Sequence, residues 1–236
     1  MSSQTRLSLG IALALGAGCA SLREELNDRP RVDPALVAHL EESQMRTIRD
    51  SRSKVDEARD ELAKAGASVE TAEERLSIAR AEVEPSDQRV EIAKRKVENA
   101  RSRGTTEDLE QAEEQLAHAR GERRVARHKV ALCEEELEHA RANLELAQAR
   151  VDLALAETEL AQAEAVADLD RPAAREIDLV EFRRAVREAQ KNLEVAQVKL
   201  DAAKEEVTIA RDDYEAVRKG DEPRPREASL RGENDF

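Results

Sequence analysis

The chain has 236 residues, with 39 Lys and Arg against 52 Asp and Glu and a formal net charge of -13. So acidic a balance argues against nucleic acid, whose phosphates require a concentrated cationic surface. No Trp, one Tyr (Tyr214) and two Phe (Phe182, Phe236) leave too few aromatics for an ordinary enzyme pocket, and the 39% share of charged residues, with Ala, Glu, Arg and Leu dominant, is typical of long helices and coiled coils.

At the N-terminus, Arg6 precedes an apolar run from Leu7 to Gly18. The run is too short to cross a bilayer as a helix, which takes about 20 residues, but it fits the core of a secretory signal. It ends Leu15-Gly16-Ala17-Gly18-Cys19-Ala20-Ser21. On these residues the N-terminus resembles a bacterial lipoprotein signal, or lipobox, in which small residues precede a cysteine that is lipidated and becomes the mature N-terminus. Gly16 stands where that family usually has Leu, with Leu15 one step earlier. The resemblance implies a signal peptide over residues 1–18, lipidation of Cys19, and sorting by Ala20 to the outer membrane, facing the periplasm. The alternatives are an ordinary secreted protein and an uncleaved apolar N-terminus. One acyl chain anchors marginally, at about 0.8 kcal/mol per buried CH₂, whereas two or three hold stably. Residues 19–33 are polar, charged and interrupted by Pro30, and read as a lipidated linker.

Residues 34–219 are expected to form an antiparallel helical coiled coil, and from Val55 onward the apolar residues recur at spacings of three and four. The first series runs Val55, Ala58, Leu62, Ala65, Val69, Ala72, Leu76, Ala79, Val83, and then Val90 to Ala100. The second starts at Leu109 and continues through Val130, Cys133, Leu137 and Ala140 to Ala154, and the third runs from Leu179 to Val217. Patterning sustained over this length predicts a coiled coil rather than disorder. One seam position is Leu or Val and the other almost always Ala. A parallel dimer would leave holes beside so many alanines, so the pattern favours close antiparallel packing.

Breaks in phase place the turns. Val97 and Leu109 are twelve residues apart, no multiple of seven, and "ENARSRGTTED" lies between them. Gly104 can end one helix, Thr105 or Thr106 can cap the next, and Glu107 and Asp108 suit its positive end. Pro172, in "ADLDRPAAR", predicts a turn, with a kink as the alternative because the phase is the same on both sides. Pro85 has in-phase neighbours and no nearby glycine, and predicts a kink.

The second helix carries a further series: Val125, Leu132, His139, Leu146, Leu153 and Leu160, accompanied by Ala142, Ala149, Ala156 and Ala163. A helix with two seams has two neighbours. The expected fold is therefore all-α, a long antiparallel coiled-coil hairpin or a three-helix up-down-up rod, with helices over about 34–103, 106–168 and 173–219. At about 1.5 Å per residue the first would span about 100 Å. Residues 220–236, with Gly and two prolines, read as a disordered tail.

Little chemistry is visible. His128, Cys133 and His139 are five and six residues apart, whereas helical metal ligands converge at three or four, so no metal site is expected. Cys133 occupies the main seam as a small buried hydrophobe. The basic group Arg120, Arg123, Arg124, Arg127 and Lys129 departs from the acidic balance. It reads either as salt bridges to neighbouring helices or as a contact with an anionic cell-wall polymer or an acidic protein.

The combination resembles bacterial lipoproteins carrying an Ala-rich periplasmic coiled coil behind a lipobox. The helical body is also similar to the hairpins of periplasmic adaptor proteins and the helices of TolC-type outer-membrane efflux proteins. No lipoyl-like, barrel or membrane-strand additions accompany it. The expectation is a lipid-anchored, non-catalytic scaffold or spacer in the bacterial envelope, with no cofactor, small-molecule substrate or nucleic acid. Its partners would be the membrane, envelope proteins or a second copy. The alternatives are an accessory docking an export or efflux complex through the hairpin tip, and a cell-wall-binding module.

Overall fold

A computed structural model describes residues 30–169 and 172–221. The signal peptide, Cys19, most of the linker, and the tail beyond Asp221 lie outside the described residues. The fold is all-α, and no strand occurs among the described residues. A short helix α1 (Pro34–Val37) precedes two long helices, α2 (Glu42–Arg103) and α3 (Thr106–Ala167). A 3₁₀ turn (Pro172–Glu176) then leads to α4 (Leu179–Lys219). These helices are shared between two compact units, residues 30–56 with 152–191 and residues 57–151 with 192–221.

In the first unit, the helix expected to start at residue 34 is broken between Val37 and Glu42. No Gly or Pro marks the break. It lies beside a packed core: Val32 and Val37 are buried against Ile48 of α2, Val166 of α3 and Phe182 of α4, with Leu36 and Leu40 packed on the same core. The starts of α1 and α2 are capped locally. Asp33 Oδ1 accepts from Ala35 N–H (2.8 Å) and Pro34 takes the first turn, where no N–H is needed. Gln44 Oε1 accepts from Glu41 N–H (3.1 Å), while Gln44 Nε2 donates to the Ala165 carbonyl (3.2 Å) and pins α2 to the end of α3. After α3 the chain turns through Pro172, buries Ala174, and restarts where Asp178 Oδ1 accepts from Val180 N–H (2.9 Å). Further along this unit, Leu153, Ala156 and Leu160 of α3 pack against Val186 and Ala189 of α4.

In the second unit α2 and α3 form an antiparallel hairpin. Ala72, Leu76 and Ala79 pack against Cys133, Leu137 and Ala140, and nearer the turn Val90 and Ala93 pack against Leu116 and Ala119. Cross-helix ion pairs follow the same register: Glu61–Arg150, Glu73–Arg141, Arg80–Glu134, Arg89–Glu122 and Arg101–Glu113. As the α2 number rises, its α3 partner falls. Each pair is about half exposed and contributes at most about 1 kcal/mol, so the pairs fix register more than stability. On its second seam α3 meets α4, with Leu146 and Ala149 against Leu193, Ala196 and Leu200, and with Glu145–Lys199 and Glu136–Arg211 bridging the two helices. The direction is again antiparallel. Helix α3 thus has two neighbours, as its double heptad series requires.

Two proline and glycine positions behave in specific ways. Helix α2 continues through Pro85, where the ring removes one ladder donor, and the adjacent buried Ser86 donates its hydroxyl to the Val83 carbonyl at 2.6 Å. Gly104 lies between α2 and α3, but its backbone is not in the left-handed region expected of a helix-ending glycine. Glycine is needed there because a Cβ would lie 2.8 Å from the Ala100 carbonyl oxygen and 3.1 Å from the Asp108 Cβ.

Candidate functional site

The hairpin turn is held by a reciprocal cap. Thr105 Oγ1 accepts from Asp108 N–H (3.2 Å), and Asp108 Oδ2 accepts from both Thr105 N–H (2.9 Å) and the Thr105 hydroxyl (2.8 Å). Those bonds, the backbone one first, hold the Asp108 carboxyl below its ordinary pKa. Thr105, not Thr106, is therefore the cap.

The basic group of α3 is divided by the fold. Arg127 (3.3 Å) and Arg123 (3.8 Å) both face Asp87 of α2, and Lys129 donates to Glu82 (2.6 Å). That bond to Glu82 raises the Lys129 pKa. Arg120 is exposed, and Arg124 is exposed on the wall of a groove. Three of the five cations are thus engaged by α2, a pairing that exists only once the hairpin closes.

The groove has a volume of about 770 Å³ and is formed where α4 ends against α2 and α3. Its walls carry five cations, Arg89, Arg124, Lys129, Arg218 and Lys219, against two carboxylates, Glu82 and Glu122. Both carboxylates are occupied, Glu82 by Lys129 and Glu122 by Arg89 (3.1 Å), with His118 Nδ1 also 3.7 Å from Glu122. Pro85, Val125, Ala126, Tyr214 and Val217 supply apolar surface. Helix α4 ends at the rim on Gly220, whose φ of 88° lets Gly220 N–H and Asp221 N–H bond back to the Val217 and Ala216 carbonyls. Sequence reasoning selected only Arg124 and Lys129 of these residues. The available signal was the pair of helix-disfavouring residues Pro85 and Gly121, which meet at the groove, whereas Gly66, the other interior helical glycine, lies away from it.

Cys133 is a free, buried thiol, and burial followed by the nearby Glu136 raises its pKa. It packs beside Leu76 and Leu137 as an ordinary seam residue. Among the described residues no group of three or more His, Cys, Asp or Glu side chains is arranged to hold a metal ion. No described helix is long and apolar enough to cross a membrane.

No family model, curated protein or solved structure matches the chain.

Proposed function

We propose that this protein is a lipid-anchored, non-catalytic coiled-coil scaffold or spacer of the bacterial envelope, fastened through Cys19 to the outer membrane and facing the periplasm. The observation that carries the reading is the use α3 makes of its two apolar faces. One is spent on α2 and the other on α4, and cross-helix ion pairs follow both seams. The side chains of the body are thus committed to holding helices in a fixed register, which is what a structural element requires. The lipobox-like stretch Leu15–Ser21 supports the proposed location. With two or more acyl chains on Cys19, attachment would be stable, and the polar residues before Val32, which itself is buried in the helical core, would act as a leash.

The test is fractionation of cells producing the native chain or Cys19→Ser. The native chain should sediment with outer membranes, resist high salt and dissolve only in detergent. Cys19→Ser should move to the soluble fraction with unchanged helical circular dichroism. A native chain found in the soluble fraction, or a Cys19→Ser chain still held by membranes, would defeat the reading.

A further inference from the structure

We infer that the groove at the end of α4 is a docking site for an acidic polypeptide segment of a partner protein, one that presents carboxylates around an aromatic or aliphatic side chain. Three observations converge on this groove. The first is a departure from helix chemistry. Pro85 lies inside α2 and Gly121 inside α3, each the kind of residue that weakens a helix interior, and both line the groove. Neither is explained by internal packing. Pro85 is exposed, and a Cβ built on Gly121 meets nothing within 4 Å. Positions where local rules are broken without a packing gain tend to be functional. On the floor of a groove, a residue without a side chain leaves room for another chain to approach closely.

The second observation is charge. In a chain of net charge -13 this groove carries five cations against two carboxylates, and both carboxylates are already bonded to Lys129 and Arg89. Arg124 and Arg218 form no ion pair among the described residues and are exposed. They come from different helices, so only the folded chain assembles them on one groove. The carbonyls at the end of α4, which would repel an anion, are partly satisfied by the Gly220 and Asp221 N–H groups.

The third is the apolar surface between the charges, to which Tyr214, the one tyrosine of the chain, contributes. A purely ionic polymer would have no use for it. An acidic peptide with one apolar anchor fits both parts, since aromatic and aliphatic anchors provide binding energy while flanking charges provide steering and orientation. The inference does not depend on the lipid anchor.

The experiment measures binding of the full chain to a labelled oligo-glutamate peptide containing one Phe, by fluorescence anisotropy. A glutamine counterpart, an acidic polysaccharide and phosphatidylglycerol vesicles serve as comparisons. The glutamate peptide is expected to bind, more weakly as salt rises, and the glutamine peptide is not. Arg124→Glu with Arg218→Glu should weaken binding about tenfold or more. Gly121→Leu, which fills the floor, should do the same, while Arg101→Glu near the hairpin turn should leave affinity unchanged. Circular dichroism melts identify any variant that loses its fold, in which case Arg124→Gln with Arg218→Gln carries the comparison. Equal binding of the glutamine peptide, or an affinity unaffected by the paired arginine substitutions, would overturn the inference. So would binding confined to the polysaccharide or the vesicles, which would assign the groove to that ligand instead.

Discussion

The α2–α3 seam is fitted around alanine, and Ala79 measures how tightly. It is fully buried, 0% exposed, in a cluster with Leu76, Cys133, Leu137 and Ala140, while its neighbour Ile78 is 59% exposed. Ala79→Leu inserts an isobutyl group where a methyl group fits, and overpacking of this kind costs about 1–3 kcal/mol. Ile78→Ala removes a larger side chain but empties no core, and should stay within about 0.5 kcal/mol of the parent. Leu137→Ala on the facing helix should cost about 2–5 kcal/mol through lost burial and a cavity. The informative variant combines Ala79→Leu with Leu137→Ala, which keeps the volume of the cluster. Because the two residues share one cluster, the double variant should be more stable than the sum of the single costs by about 1 kcal/mol. Chemical denaturation followed by far-UV circular dichroism measures all four proteins. A neutral Ala79→Leu, or strict additivity of the two seam substitutions, would refute the close antiparallel packing argued above.

Three further outcomes are expected. Gly66→Ala and Gly121→Ala should each stabilise the chain by about 1 kcal/mol in denaturant titrations, since both positions are helical and open, whereas Gly104→Ala should destabilise it because its Cβ would press on the Ala100 carbonyl at 2.8 Å. Asp108 has a lowered pKa in the folded chain, so its contribution is present at neutral pH and is lost as the pH falls through that depressed value, once the carboxylate is protonated in both states. The acid limb of a stability–pH curve should therefore be flatter in Asp108→Asn than in the parent. Cys133, buried with a raised pKa, should resist thiol reagents in the native state near neutral pH and react on unfolding, and Cys133→Ala, which restores the usual seam residue, should cost less than about 1.5 kcal/mol.

The helical class and the two-sided role of α3 were legible because each follows from a seven-residue period: Leu146 and Ala149 lie in one series, Cys133 and Leu137 in the other, and they meet α4 and α2 respectively. The hairpin turn was legible from the loss of phase before Leu109, although the reason for Gly104 was not, because crowding against Ala100 is a three-dimensional fact. The break between Val37 and Glu42 gave no local sign. It falls beside the cluster that buries Val32, Val37 and Phe182, residues far apart in the chain. The basic run of α3 looked uniform in sequence but is not. Asp87 and Glu82 engage Arg123, Arg127 and Lys129 from another helix, leaving Arg124 to join Arg218 from a distant segment. Charges that meet only after folding cannot be read from a linear run.

The scaffold reading depends most directly on the chemical state of Cys19. The measurement that tests it is the mass of the mature N-terminal peptide recovered from purified outer membranes. The account predicts a chain beginning at Cys19 and carrying two or three acyl chains. A chain that still begins at Met1, or a Cys19 terminus without lipid, would contradict it.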